Sequence, residues 1–113
     1  MSIPNEQIQE LKQIYSGTAS HVEAGITYFF LPKAKLPDGC DPAEVDLLLC
    51  PVPRDSYPSR LFFAARVKCK SSPNWLANEV RILERNWHVY SWNASRPGLR
   101  LVELVSAHMR ALV

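Results

Sequence analysis

Residues 45–67 read VDLLLCPVPRDSYPSRLFFAARV, and this stretch decides the fold. Val45 to Val52 is almost wholly apolar. A strand with hydrophobic side chains on both sides of its pleat belongs in the interior of a sheet, so this segment is expected to be central. Pro51 and Pro53 end its pairing, because proline has no N–H to give to a ladder. Residues 53–59, PRDSYPS, carry turn chemistry, and RLFFAARV, residues 60–67, forms the next strand.

The pattern extends towards the N-terminus. ITYFFL, residues 26–31, is rich in β-branched and aromatic residues and stops at Pro32. KAKLPDGCDPAE, residues 33–44, places Pro, Asp and Gly where a connecting loop needs them. Three consecutive strands with short connections make an antiparallel meander. Before them, NEQIQELKQIYS sets Ile8, Leu11, Ile14 and Tyr15 at spacings of three and four. That is one apolar stripe of a helix, with Asn5 as its N-cap and Gly17 at its end.

Beyond residue 67 the pattern changes. Lys68 to Asn74 is polar and loop-like. WLANEVRILERNW, residues 75–87, spaces Leu76, Val80 and Leu83 as a short helix would, and HVYSWN is a brief extended piece. In RPGLRLVELVSAHMRALV, residues 96–113, the side chains Leu101, Leu104, Val105, His108, Met109 and Leu112 trace the stripe of a closing helix that starts after Pro97-Gly98. The expected fold class is α+β, with an N-terminal helix, an antiparallel β-meander covered on one face, an irregular segment and a C-terminal helix, in one domain spanning 1–113.

Composition narrows the functional classes. The chain has 113 residues, 47% of them hydrophobic, and a formal charge of only +2, which gives no electrostatic footprint for nucleic acid. No apolar run reaches the roughly 20 residues that span a bilayer, and MSIPNEQIQELKQ lacks the basic start and apolar stretch of a signal peptide. A cytoplasmic location, with no membrane partner, is the expectation. Three cysteines cannot all pair within one chain, and in a reducing compartment none needs to. Without a C-x-x-C, and with His21, His88 and His108 scattered, neither a metal site nor a cofactor is expected.

One cysteine has unusual neighbours. In RVKCKSSPNW, residues 66–75, Cys69 has Arg66, Lys68 and Lys70 beside it, and positive charge favours thiolate over thiol. Strand alternation pulls the other way: if the three cations face outward, Val67 and Cys69 face inward.

These residues resemble the prokaryotic ubiquitin-conjugating-enzyme-like (UBC fold) family. The likeness lies in LPDGCDPAEVDLLLCPVPRDSYPSRLFF and NWHVYSWNASRPGLRLVELVSAHMRAL, with Tyr57-Pro58, Trp87, Trp92 and Arg96-Pro97-Gly98 as its landmarks, and it spans roughly residues 20–113. It implies a transferase that takes a ubiquitin-like protein from an adenylating, ubiquitin-activating-enzyme-like partner as a cysteine thioester. The cargo then passes to an acceptor amine, with ATP consumed by the partner. It implies a nucleophilic cysteine in the irregular segment after the meander, where Cys69 alone lies. It also implies a first helix, bearing Lys12, and nearby loops with Arg54, Tyr57 and Arg60 as the face that meets the activating enzyme. Family context adds a deubiquitinase-like peptidase and a link to antiphage defence in bacteria. The His-Pro-Asn that precedes the cysteine in eukaryotic members is absent; Ser72-Pro73-Asn74 follows Cys69 instead.

Supporting roles fall to Asn74, and less to Asn78, as oxyanion donors, and to His88 as a base for the incoming amine. Asn74 reads equally as a turn former or N-cap, and His88 as a half-exposed strand histidine. Cys40, flanked by acids in its loop, is the fallback nucleophile; Cys50 is core filler, and His108 is a packed histidine. Two other readings stay open. One is a catalytically inactive UBC-like adaptor. The other is a small single-strand nucleic-acid-binding domain using Trp75, Trp87 and Trp92 with Arg81, Arg85 and Arg96.

Overall fold

The computed structural model describes residues 3–92 and 98–113. Helix α1 (Asn5–Ile14) precedes strands β1 (Ala19–Glu23), β2 (Ile26–Lys35), β3 (Glu44–Cys50) and β4 (Arg60–Phe63). Short strands β5 (Asn74–Trp75), β6 (Val80–Ile82), β7 (Arg85–Trp87) and β8 (Tyr90–Ser91) follow, then helix α2 (Leu101–Met109) and a final 3₁₀ turn (Arg110–Leu112). The first four strands form one antiparallel sheet in the order β1-β2-β3-β4. The fold is α+β, as its sequence pattern leads one to expect. Asn5, the expected N-cap, is instead the first helical residue after Pro4.

Three expectations are corrected. The meander has four strands: Ala19–Glu23 pairs with β2 across a tight turn in which Ala24 and Gly25 both take positive φ, 53° and 79°. That twist matches the right-handed twist of the flanking strands. β1 is a polar edge with exposed His21, Val22 and Glu23, so it carries no alternating apolar signal. Strand β2 also runs past Pro32, accommodating it at an irregularity between Leu31 and Ala34.

The helix expected over residues 75–87 is not there. β6 and β7 form a hairpin whose turn residues, Leu83 and Glu84, both adopt positive φ, 53° and 62°. Neither is a residue that favours this conformation, so the turn is not legible locally; each costs on the order of 1 kcal/mol. Tertiary bonds offset that cost. The Leu83 N–H donates to Glu23 Oε1 at 3.1 Å, Arg85 reaches Asp46 at 3.3 Å, and the Trp87 indole donates to the Ile82 carbonyl at 3.0 Å.

This hairpin overturns the third expectation, a sheet covered on one face. Alternation along β2, β3 and β4 sends Phe29, Leu31, Leu47, Leu49, Leu61 and Phe63 to one side, where Leu11 of α1 and Leu101, Leu104, Val105 and Met109 of α2 close over them. Tyr28, Leu48, Cys50 and Phe62 point to the other side and are covered by Ile82, Trp87 and Val89. Strand β3 is therefore buried on both faces, as its unbroken apolar run requires. The two helices are tied by Arg100 Nε to Glu10 Oε1 at 2.9 Å and by the Leu101 N–H to Gln7 Oε1 at 3.2 Å. Glu103 caps the start of α2 by accepting the Arg100 N–H at 2.9 Å. No described helix is long and apolar enough to cross a membrane.

Candidate functional site

β4 ends at Phe63, and the chain leaves the sheet carrying Cys69. Two backbone hydrogen bonds then tie Lys68 to Asp41, at 2.7 and 2.9 Å, joining the post-β4 segment to the loop between β2 and β3. Cys40 and Cys69 flank that bridge with Cα atoms 4.1 Å apart, and their sulfurs form a disulfide across a sequence separation of 29. Here the expectation of unpaired cysteines is corrected. The pairing arises from a contact between two loops, which no local spacing announces. Cys50 remains a free thiol, buried against Tyr28 and Phe62, and donates to the Val52 carbonyl at 3.3 Å. Burial pushes this thiol up, away from ionisation.

Both disulfide cysteines are half-buried and lie against the helix-side core. Beside Cys69 runs a groove of about 460 Å³ lined by Arg66, Val67, Lys68, Ser71, Ser72, Pro73 and Trp75. Its walls are fixed from several directions. Arg66 donates to the carbonyls of Leu76 and Ala77 at 2.6 and 3.2 Å, and Ser71 donates to the Val113 carbonyl. Trp75 stands edge-on to Phe63 and Tyr90, with ring centroids 5.3 and 5.1 Å away. On the far side of the disulfide, the stem of Lys70 lies so close to Gly39 that a methyl group there would sit 2.9 Å from Lys70 Cε. The result is a half-open groove at Cys69 with an aromatic wall in Trp75, the hydroxyls of Ser71 and Ser72, and a cationic rim of exposed Arg66 and Lys68.

The other expected site residues do not line this groove, although Asn74 sits between two residues that do. Asn74 is exposed in β5, opposite Ser91 of β8, and Asn78 is exposed in the following bend. His88 exchanges two backbone hydrogen bonds with Phe63, both 2.7 Å; its Nε2 is 3.6 Å from Glu79 Oε1 and its buried Nδ1 has no partner among the described residues. Neither Asn74 nor His88 lines the groove. Cys69 is thus brought together with Cys40, the fallback nucleophile, rather than with the expected amide and imidazole.

The tryptophans are distributed rather than grouped into a stacking surface. Trp87 is 1% exposed, Trp75 packs against aromatic neighbours, and Trp92 lies partly open with its indole donating to the Ala107 carbonyl at 2.9 Å. Arg96 and Pro97 lie outside the described residues. Of the face expected to meet an activating enzyme, Lys12 is exposed, but Arg60 is buried and paired with Asp55 at 3.1 Å. Arg54 donates to the Tyr28 hydroxyl at 3.1 Å.

Sequence reading does not anticipate one buried polar pair. Ser59 Oγ and His108 Nε2 are 2.9 Å apart, with the residues 3% and 2% exposed, and the Tyr90 hydroxyl donates to the His108 carbonyl at 2.6 Å. Burial, reinforced by the Arg60 charge, lowers the His108 pKa to about 4. Shut away from solvent, this pair is a structural joint between α2 and the sheet. Its one sequence signal is a histidine on an apolar helical stripe, which demands a buried partner.

Compared with protein-family models, curated proteins and solved structures, the chain matches none.

Proposed function

We propose that this chain is a UBC-like acyl carrier, which receives the C-terminus of a ubiquitin-like protein as a thioester on Cys69 and passes it to an acceptor amine. The observation that carries this reading is the position of Cys69. It sits half-exposed in the first irregular segment leaving a four-stranded antiparallel meander, in the wall of a groove of about 460 Å³. Thioester exchange needs an accessible thiolate and an activated carbonyl; Lys68 and Lys70 favour the first, and an adenylating partner supplies the second. The thiolate exists only once the bond to Cys40 is reduced.

The test combines the reduced protein with an activating-enzyme-like protein, a ubiquitin-like protein and ATP, and looks for a thiol-sensitive adduct on a non-reducing gel. The adduct is expected in the wild type and in Cys40→Ala, and not in Cys69→Ala. An adduct that persists in Cys69→Ala sinks the assignment.

A second reading, an adaptor that binds the activating enzyme without accepting cargo, draws on the sulfur–sulfur bond and on Asn74 and His88 not lining the groove. It predicts binding of that partner, unchanged in Cys69→Ala, with no adduct under any condition.

A further inference from the structure

We infer that Cys40 and Cys69 form a reversible redox lock, a disulfide that external thiols open and close while the fold stays intact. The inference rests on the acyl-carrier reading only for what the lock controls, not for its existence. Its first support is location. Both cysteines are half-buried loop residues at the edge of the core, and Cys69 lines an open groove through which a small thiol can approach the bond. Its second support is the backbone. The paired hydrogen bonds between Asp41 and Lys68 hold the two loops together next to the cysteines, independently of the disulfide. When the bond is cut, the thiols stay within reach of each other and can reclose. Its third support is the seclusion of Cys50, whose buried thiol stays out of exchange with the pair.

The reaction is thiol–disulfide exchange, with glutathione-type monothiols as the reductant class. A glutathione thiolate attacks the sulfur of Cys69, the cysteine that lines the groove, forming a mixed disulfide and expelling Cys40 as the thiolate. A second glutathione thiolate attacks the glutathione sulfur of that mixed disulfide, releasing Cys69 and leaving oxidised glutathione. Two electrons pass to the protein pair, and each protein sulfur ends as a thiol or thiolate. The cationic rim of the groove draws an anionic peptide thiol towards the bond. In the oxidised form Cys69 cannot accept an acyl group; in the reduced form it can.

The experiment equilibrates the full chain in buffers of varied reduced-to-oxidised glutathione ratio. Each sample is quenched by alkylation, and the labelled cysteines are located by mass spectrometry, with near-ultraviolet circular dichroism recorded in parallel. Expected is a reversible transition in which Cys40 and Cys69 gain label together, Cys50 stays unlabelled and the dichroism is unchanged. Cys40→Ser is expected to label at Cys69 without reductant, at least ten times faster than oxidised wild type. Opening only in denaturant, labelling of Cys50 together with the pair, or an unreactive Cys69 in Cys40→Ser would each overturn the lock. The same samples are then offered activating enzyme, ubiquitin-like protein and ATP. A normal redox transition with no adduct in any sample refutes the acyl-carrier reading and leaves the lock standing; equal adduct from oxidised and reduced protein refutes the lock's control of Cys69.

Discussion

Acidification should loosen this protein through His108. The imidazole is 2% exposed, held by Ser59 Oγ at 2.9 Å, and its pKa falls to about 4, chiefly because burial penalises the charged ring and secondly because Arg60 is close. In the unfolded chain a histidine titrates near 6.5. The unfolded state therefore takes up the proton first. Stability is flat above roughly pH 7.5, falls as pH drops through 6.5, and levels off below about 4. At pH 5 the linkage amounts to about 2 kcal/mol relative to pH 8, a substantial share of the 5–15 kcal/mol that typically separates folded from unfolded. Urea unfolding followed by tryptophan fluorescence at the two pH values reads this directly; with a slope on the order of 1–2 kcal/mol per molar, the midpoint moves by about 1–2 M. His108→Gln keeps a polar group for Ser59 but does not titrate, so its midpoint should move less by that amount. Equal pH shifts in wild type and His108→Gln would refute the reasoning. So would a native-state proton resonance of His108 that titrates near 6.5.

Three further outcomes follow from named contacts. Cys40→Ser, or reduction of the wild type, removes a cross-link spanning 29 residues and should cost ~2–4 kcal/mol by chain entropy, read as a lower urea midpoint with the native spectrum retained. Trp87→Ala should cost ~3–5 kcal/mol, and Trp87→Phe less, since the second keeps most of the ring volume but leaves the Ile82 carbonyl without its donor. Gly17→Ala should cost ~1–2 kcal/mol by thermal melting: its φ is +81°, and the new methyl would lie 3.0 Å from Pro32 Cγ.

What could be read in the sequence was whatever depends on period and burial. The apolar run Val45–Val52 had to be central, and β3, which covers it up to Cys50, is. The stripe Leu101, Leu104, Val105, His108, Met109, Leu112 had to face a core, and every member is buried. What could not be read was held by distant contacts. The Leu83-Glu84 turn has no residue that favours positive φ, and it exists because Glu23, some sixty residues earlier, accepts the Leu83 amide. Leu76, Val80 and Leu83 suit a helix by spacing alone, yet Val80 pairs across to Trp87 in a hairpin. At the candidate site, the charge around Cys69 singled out a segment but not what that cysteine touches. Its partner Cys40 was hidden because the two loops meet through Asp41 and Lys68, whose pairing leaves no trace in local spacing.

The double-sided burial of β3 has a consequence for how the molecule comes apart. Leu47 and Leu49 belong to the helix-side cluster, while Leu48 and Cys50 belong to the hairpin-side one, so a single strand is the shared wall of two compartments. Neither compartment can be emptied without exposing the backs of residues that seal the other. The backbone amides of Leu47–Leu49, paired on both edges by β2 and β4, should then be among the last to exchange with solvent deuterium, tracking the global unfolding free energy rather than a local opening.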